Sequence, residues 1–75
     1  MSQSRFRLND VTATKALLDD LHTHPGQEFT AAVLSARNPG VAKMRVGRLL
    51  SSESDVQTEK KKDGKTYYQF KALFL

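Results

Sequence analysis

The sequence predicts a single small α+β domain in which three helices form the core and a two-stranded β-hairpin follows at the C-terminal end. Three observations support this prediction. Apolar residues recur at three- and four-residue spacing through the earlier part of the chain, clear turn sequences separate these stretches, and the last third changes to the alternation typical of strands. A chain of 75 residues without cysteine allows one domain whose core depends on packing alone.

The first helix is expected to run from Asn9 or Asp10 to about Thr23. Either starting residue can cap a helix by accepting a hydrogen bond from the exposed N–H groups of the first turn. The helix is expected to end before Pro25 and Gly26, because proline cannot continue the hydrogen-bond ladder and glycine tolerates the turn. Five residues at helical spacing are predicted to form its buried face: Val11, Thr14, Leu17, Leu18 and Leu21.

A second, shorter helix is predicted over roughly residues 31–37, after an extended segment at residues 27–29. Thr30 stands where its hydroxyl can cap that helix. Small side chains are frequent here, and they allow two helices to approach closely. These small residues are Ala32, Val33 and Ala36.

The third helix is expected over about residues 41–52, directly after Asn38-Pro39-Gly40, which is the strongest turn sequence in the chain. Four residues on one side of this helix are predicted to face the core, while polar and basic residues are distributed around the rest. The predicted core-facing residues are Ala42, Val46, Leu49 and Leu50.

The last third of the chain predicts a hairpin. Residues 55–60 are expected to form one strand and residues 65–73 the returning strand, with a turn at residues 61–64 in which Gly64 supplies a positive φ. Alternate residues of a strand share one face of the sheet. The core-facing set of the returning strand is predicted to be Tyr68, Phe70 and Ala72.

This order of elements resembles the winged-helix family of DNA-binding domains over residues 10–73. Residues 41–50 (VAKMRVGRLL) look like the recognition helix of bacterial winged-helix regulators, and residues 56–70 (VQTEKKKDGKTYYQF) are similar to a basic wing in which an Asp-Gly turn precedes a Tyr-rich strand. The resemblance implies one winged helix-turn-helix domain over residues 1–75. Residues 1–8 are expected to form a flexible N-terminal arm.

Two features depart from the family pattern. Pro39 and Gly40 lie in the connection between the second and third helices, where they can alter the angle between them. Gly47 lies inside the third helix, where glycine costs up to about 1 kcal/mol relative to alanine. Gly47 is therefore either an ordinary surface glycine or a point of close approach to another helix or to a DNA backbone.

The excess positive charge lies in the C-terminal half of the chain. Residues 37–75 contain nine Lys or Arg against four Asp or Glu, whereas residues 1–36 contain three against four. A concentrated field of one sign favours a polyanionic partner, although solvated lysines that keep a protein soluble have the same composition.

The resemblance implies double-stranded DNA as the partner, with the third helix in the major groove and the Lys-rich wing on the phosphate backbone. Arg45 and Arg48 are three residues apart, so they are expected to be neighbours that can each bind guanine in a bidentate manner. The lysines of the hairpin alternatively protect a sheet edge from aggregation. Nine residues are the candidate DNA contacts: Lys43, Met44, Arg45, Arg48, Arg37, Lys60, Lys61, Lys62 and Lys65.

Other chemistry has little support in the sequence. His22 and His24 lack a third metal ligand, and no nucleophile or acid–base cluster predicts an enzyme, a cofactor or a small-molecule ligand. No apolar run has membrane-spanning length and no secretory signal is evident, so a cytoplasmic protein is expected. The predicted function is a small bacterial or phage-type transcription regulator, for which a homodimer or neighbouring copies on DNA would supply the specificity that one small domain lacks. The alternative is a winged-helix interaction module that docks an acidic protein partner.

Overall fold

The computed structural model describes residues 7–71, which contain three helices and a three-stranded antiparallel sheet. The predicted α+β class is confirmed. The sheet has three strands instead of two, because Phe29 pairs with Tyr68 and Thr30 pairs with Tyr67, which gives the strand order β1-β3-β2. The elements in chain order are α1 (Asp10–His22), β1 (Phe29–Thr30), α2 (Ala31–Arg37), α3 (Lys43–Leu50), β2 (Val56–Lys60) and β3 (Thr66–Phe70).

Helix α1 has the predicted bounds but a different buried face. The Asn9 side chain caps it by accepting a hydrogen bond from the Thr12 N–H at 2.8 Å. Ala13, Leu17 and Leu21 are fully buried, whereas Val11 is 80 % exposed. The prediction for Val11 is wrong because the fully buried residues of α1 are four residues apart and the first of them is Ala13, a small residue, rather than a large apolar one.

Helix α2 also has its predicted bounds, and the Thr30 hydroxyl accepts a hydrogen bond from the Val33 N–H at 3.3 Å. Its small residues do not form the packed side. Ala32, Val33 and Ala36 are exposed, and Leu34 is the fully buried residue of this helix. The predicted close approach through small residues is therefore wrong, and a large leucine anchors α2 in the core instead.

Helix α3 is shorter than predicted at both ends. Val41 belongs to the preceding turn, where its N–H donates to the Asn38 carbonyl at 2.8 Å, and its side chain is fully buried. Ala42 is the N-cap and is exposed, which contradicts its predicted core position. Three residues form the confirmed core side of α3: Val46, Leu49 and Leu50.

Strands β2 and β3 form the predicted hairpin, paired from Val56 opposite Phe70 to Lys60 opposite Thr66. The Gly64 φ of +84° confirms the predicted turn glycine. On β3, Tyr68 is buried and Phe70 packs against the core at half exposure, as predicted. Ala72 lies outside the described residues.

The core lies between the three helices and the inner face of the sheet. Leu8 packs against this core and its N–H donates to the Gly40 carbonyl at 3.0 Å, so this residue of the expected N-terminal arm is attached to the domain. No helix within residues 7–71 is long and apolar enough to cross a membrane. The largest fully buried side chains are Leu17, Leu21, Leu34, Leu50, Val41 and Val46.

Candidate nucleic-acid interface

The outward face of α3 is formed by residues on the side opposite its core residues. Met44 is 92 % exposed, and Lys43 and Arg48 are exposed as well. Gly47, on the same face, is half-buried because β3 approaches it. Helix α3 therefore presents one apolar side chain, two cations and one glycine on the same face.

Arg45 does not share that exposed face. It is only 8 % exposed, and its Nη2 donates to the Asp10 Oδ1 at 2.7 Å. Its Nε and Nη1 are buried and have no hydrogen-bond partner among the described residues. The prediction that Arg45 is available to solvent is wrong, because the N-terminal end of α1 covers this side of α3.

Arg48 reaches the same carboxylate from the exposed side. Its Nη1 and Nη2 lie 3.1 and 3.2 Å from the Asp10 oxygens, while its side chain remains 58 % exposed. Hydrogen bonds from Arg48 and then Arg45 lower the pKa of Asp10 to about 2. The two arginines are neighbours, as predicted, but within the described chain they converge on Asp10.

Arg37 ties the end of α2 to α1. Its Nε and Nη2 each donate to an Asp20 oxygen at 2.7 Å, and its guanidinium lies 5.4 Å from the centroid of the Phe29 ring. The Asn38 amide donates to the same carboxylate at 3.2 Å. The hydrogen bond from Arg37 is the main cause of the lowered pKa of Asp20. This bidentate, stacked geometry gives Arg37 a role in joining helices.

Lys61 is the one hairpin lysine with a carboxylate partner among the described residues. Its ammonium donates to Glu28 and lies 4.8 Å from the centroid of the Tyr67 ring. The hydrogen bond to Glu28 raises the pKa of Lys61. Lys61 therefore attaches the turn to the segment before β1.

Four of the predicted lysines carry uncompensated charge. Within residues 7–71, none of them has a carboxylate within 4.0 Å, and all are exposed. They come from the start of α3, from the two flanks of the hairpin turn and from the turn itself. These lysines are Lys43, Lys60, Lys62 and Lys65.

A groove of about 380 Å³ brings α3 and the hairpin together. Lys43 from α3 and Lys65 from the hairpin both border it, and none of the described residues that line it is acidic. We call it the α3–β3 groove. It is lined by Thr30, Ala31, Ala32, Lys43, Gly64, Lys65, Thr66 and Tyr68.

Asp63 organises the hairpin turn and was not among the predicted site residues. Its Oδ1 accepts from the Lys65 backbone N–H at 2.8 Å, and its Oδ2 accepts from the Tyr67 hydroxyl at 2.6 Å. The bond from Tyr67 is the main cause of the lowered pKa of Asp63. An Asp two residues before Lys65 in a turn is a recognisable sequence feature, since aspartate often bonds backbone N–H groups two residues on.

Gly47 is a point of close approach. A Cβ atom at this position would lie 3.1 Å from the Tyr68 hydroxyl, which is tighter than ordinary van der Waals contact. The sequence predicted Tyr68 only as a core residue. Its ring is in the core, but its hydroxyl reaches α3, a contact that no local pattern in the sequence indicates.

The two histidines have aromatic neighbours. The His22 and Phe70 ring centroids are 4.2 Å apart, and those of His24 and Phe29 are 5.8 Å apart. Both pairs are edge-to-face, a geometry that contributes to packing. These contacts help to place β1 and the end of β3 against α1.

Comparison of the chain with protein-family models, with curated proteins and with solved structures finds no match. The function is therefore inferred from the chemistry and position of the described side chains.

Proposed function

We propose that the protein is a small winged helix-turn-helix regulator that binds double-stranded DNA. The observation that carries this proposal is the uncompensated charge of Lys43, Lys60, Lys62 and Lys65 on two adjoining elements. A duplex presents phosphates on both sides of its major groove. A helix face flanked by a cationic hairpin matches that distribution of charge.

The outward face of α3 supplies the contacts to base edges. Arg48 is exposed and can exchange Asp10 for a guanine, because an ion pair in solvent is weakly held. Met44 at the tip of the helix suits apolar contact with a thymine methyl group. Lys43 lies where α3 meets the α3–β3 groove and suits a phosphate.

The remaining predicted residues support this surface rather than contact DNA. Arg45 is buried and donates a hydrogen bond to Asp10. Arg37 joins α2 to α1, and Lys61 donates a hydrogen bond to Glu28. Arg45 fixes the helix that carries Lys43 and Arg48. Lys61 fixes the hairpin turn beside the other lysines, and Arg37 holds together the two helices on which α3 packs. We therefore narrow the nine candidate contacts to Lys43, Met44, Arg48, Lys60, Lys62 and Lys65.

A salt series tests the proposal. Binding of a labelled duplex, measured by fluorescence anisotropy, is expected to weaken log-linearly with salt, with a slope of about 0.9 per neutralised phosphate. Replacing Lys60 and Lys62 by glutamine is expected to weaken binding to all sequences similarly and to reduce that slope by about two.

The matched control replaces Lys15 and Lys71, which are also exposed and carry the same total charge. This control is expected to keep a slope near that of the wild type. Absence of duplex binding at low salt, together with co-purification of an acidic protein, would replace the DNA proposal by the interaction module. If both double variants lose duplex affinity equally, net charge and not the position of the hairpin lysines determines binding.

A further inference from the structure

We infer that the α3–β3 groove binds one phosphate group of the DNA backbone, with the Tyr68 hydroxyl as hydrogen-bond donor and the Lys43 and Lys65 ammonium groups as charge partners. This inference rests on the proposed function, because it names the part of the duplex that the groove receives. It also makes Tyr68 a binding residue, although its position in the sequence indicates only a core residue.

The hydroxyl of Tyr68 is available for a ligand. Tyr68 is 7 % exposed, yet its hydroxyl forms no hydrogen bond with any group in residues 7–71. The hydroxyl itself is open to solvent at the groove, because the buried unpaired side-chain atoms of the described residues are those of Arg45 and do not include it. The hydroxyl of the adjacent Tyr67, by contrast, is already engaged, since it donates to Asp63 at 2.6 Å. Tyr68 lines the groove and so has a donor to offer there.

The charge around the groove selects an anion. Lys43 and Lys65 border it from two elements, and neither ammonium has a carboxylate within 4.0 Å among the described residues. The groove between α1 and α3, by contrast, is lined by three carboxylates, from Asp10, Asp19 and Glu53, beside the cations of Lys15 and Arg48. A phosphate is therefore attracted more strongly to the α3–β3 groove, whose two cations are not offset by carboxylates.

The shape of the site depends on Gly47. Because a Cβ there would lie 3.1 Å from the Tyr68 hydroxyl, any side chain would crowd the donor. The N-cap of α3, Ala42, makes no side-chain hydrogen bond to the first turn, so the first N–H groups of this eight-residue helix add positive potential near Lys43. Glycine at position 47 leaves the Tyr68 hydroxyl uncrowded on the side of α3.

Tyr68→Phe is the direct test, because it keeps the ring in the core and removes only the hydroxyl. We expect its duplex affinity to fall about tenfold at fixed salt, as for loss of one hydrogen bond to a charged group. The salt slope is expected to stay the same, since no charge is removed, whereas Lys65→Gln is expected to lower it by about one. Urea unfolding of both variants verifies that each remains folded.

Inorganic phosphate is the second probe and does not require DNA. In the wild type, phosphate at constant ionic strength is expected to shift the amide resonances of Lys43, Gly47 and Lys65 in a saturable manner, and chloride is not. Tyr68→Phe is expected to lose this response. Tyr67→Phe, which removes the hydroxyl on the other face of β3, is expected to retain it.

The two proposals fail in different ways. Duplex binding that is equally tight in the wild type and in folded Tyr68→Phe overturns the phosphate site and leaves the DNA proposal standing. Absence of duplex binding overturns the DNA proposal and, with it, the assignment of the phosphate to a DNA backbone. A saturable phosphate response in the groove would then still support the anion site, and its absence would overturn that as well.

Discussion

Asp10 accepts hydrogen bonds from both Arg45 and Arg48, but the two arginines stand in different surroundings. Arg45 is withdrawn from solvent and has two N–H groups without partners within the described chain. Arg48 keeps more than half of its side chain in solvent. A buried cation depends on its partner far more than an exposed one does. Arg45 therefore contributes to folding, whereas Arg48 can exchange its exposed contact with Asp10 for one with a ligand.

Substitution of each arginine by alanine separates these roles. Arg45→Ala is expected to lower the free energy of unfolding by about 2 kcal/mol, because it removes a buried side chain and its charge-assisted hydrogen bond. Arg48→Ala is expected to lower the urea midpoint less than Arg45→Ala does, because its contact with Asp10 is exposed to solvent, and to weaken duplex binding about tenfold. An Arg48→Ala variant that binds duplex as tightly as the wild type would contradict the role given to α3.

At the scale of elements, Asp10 joins the start of α1 to α3. Its pKa is lowered from 3.8 to about 2 in the folded protein, so the ionised form is favoured by folding. The resulting stability is fully present above the unfolded value and is lost as pH falls toward the folded value. Acid is therefore expected to loosen this connection between about pH 4 and pH 2.

Asp10→Asn tests this connection. Its unfolding midpoint in urea is expected to be lower than that of the wild type at pH 6, and the difference is expected to shrink as pH falls from about 4 to about 2. Asp19→Asn is the matched control, since Asp19 is an exposed carboxylate of the same helix without a basic group within 4.0 Å in the described chain. A difference between Asp10→Asn and the wild type that stays constant across this interval would contradict the role of Asp10.

The bounds of α1 and α2 and the position of the hairpin turn follow from local chemistry and are therefore predictable from the sequence. Asn9 and Thr30 cap their helices with their own side chains, and Gly64 adopts the positive φ of its turn. Residue burial depends on what packs against each face, which no local pattern contains. Val11 was consequently expected inside and lies outside, and the pairing of Phe29 with Tyr68 was not expected at all.

The candidate site could likewise be predicted from the sequence only in part. The exposure of Met44 and Arg48 and the cationic turn follow from helical phase and composition. The carboxylate partners of Arg37, Arg45 and Lys61 lie at least 17 residues away in sequence. The spacing of residues within one helix or strand therefore does not indicate these ion pairs. The Tyr68 hydroxyl beside Gly47 was missed for the same reason.

At the scale of the whole molecule, the fold sorts its cations into two groups. One group is neutralised within the protein and holds the elements together, while the other stays exposed at the start of α3 and along the hairpin. Lys65 links the two exposed regions, because it closes the hairpin turn and also lines the α3–β3 groove with Lys43. We propose that this connected surface receives a DNA duplex.

Amide chemical-shift mapping of the labelled protein with a duplex selected from random sequence tests that claim most directly. The largest changes are expected on α3 at Lys43, Met44, Gly47 and Arg48 and on the hairpin at residues 60–66, whereas Val11 and Leu18 on α1 are expected to change little. Changes that are concentrated on Val11 and Leu18, with α3 and the hairpin unaffected, would contradict it.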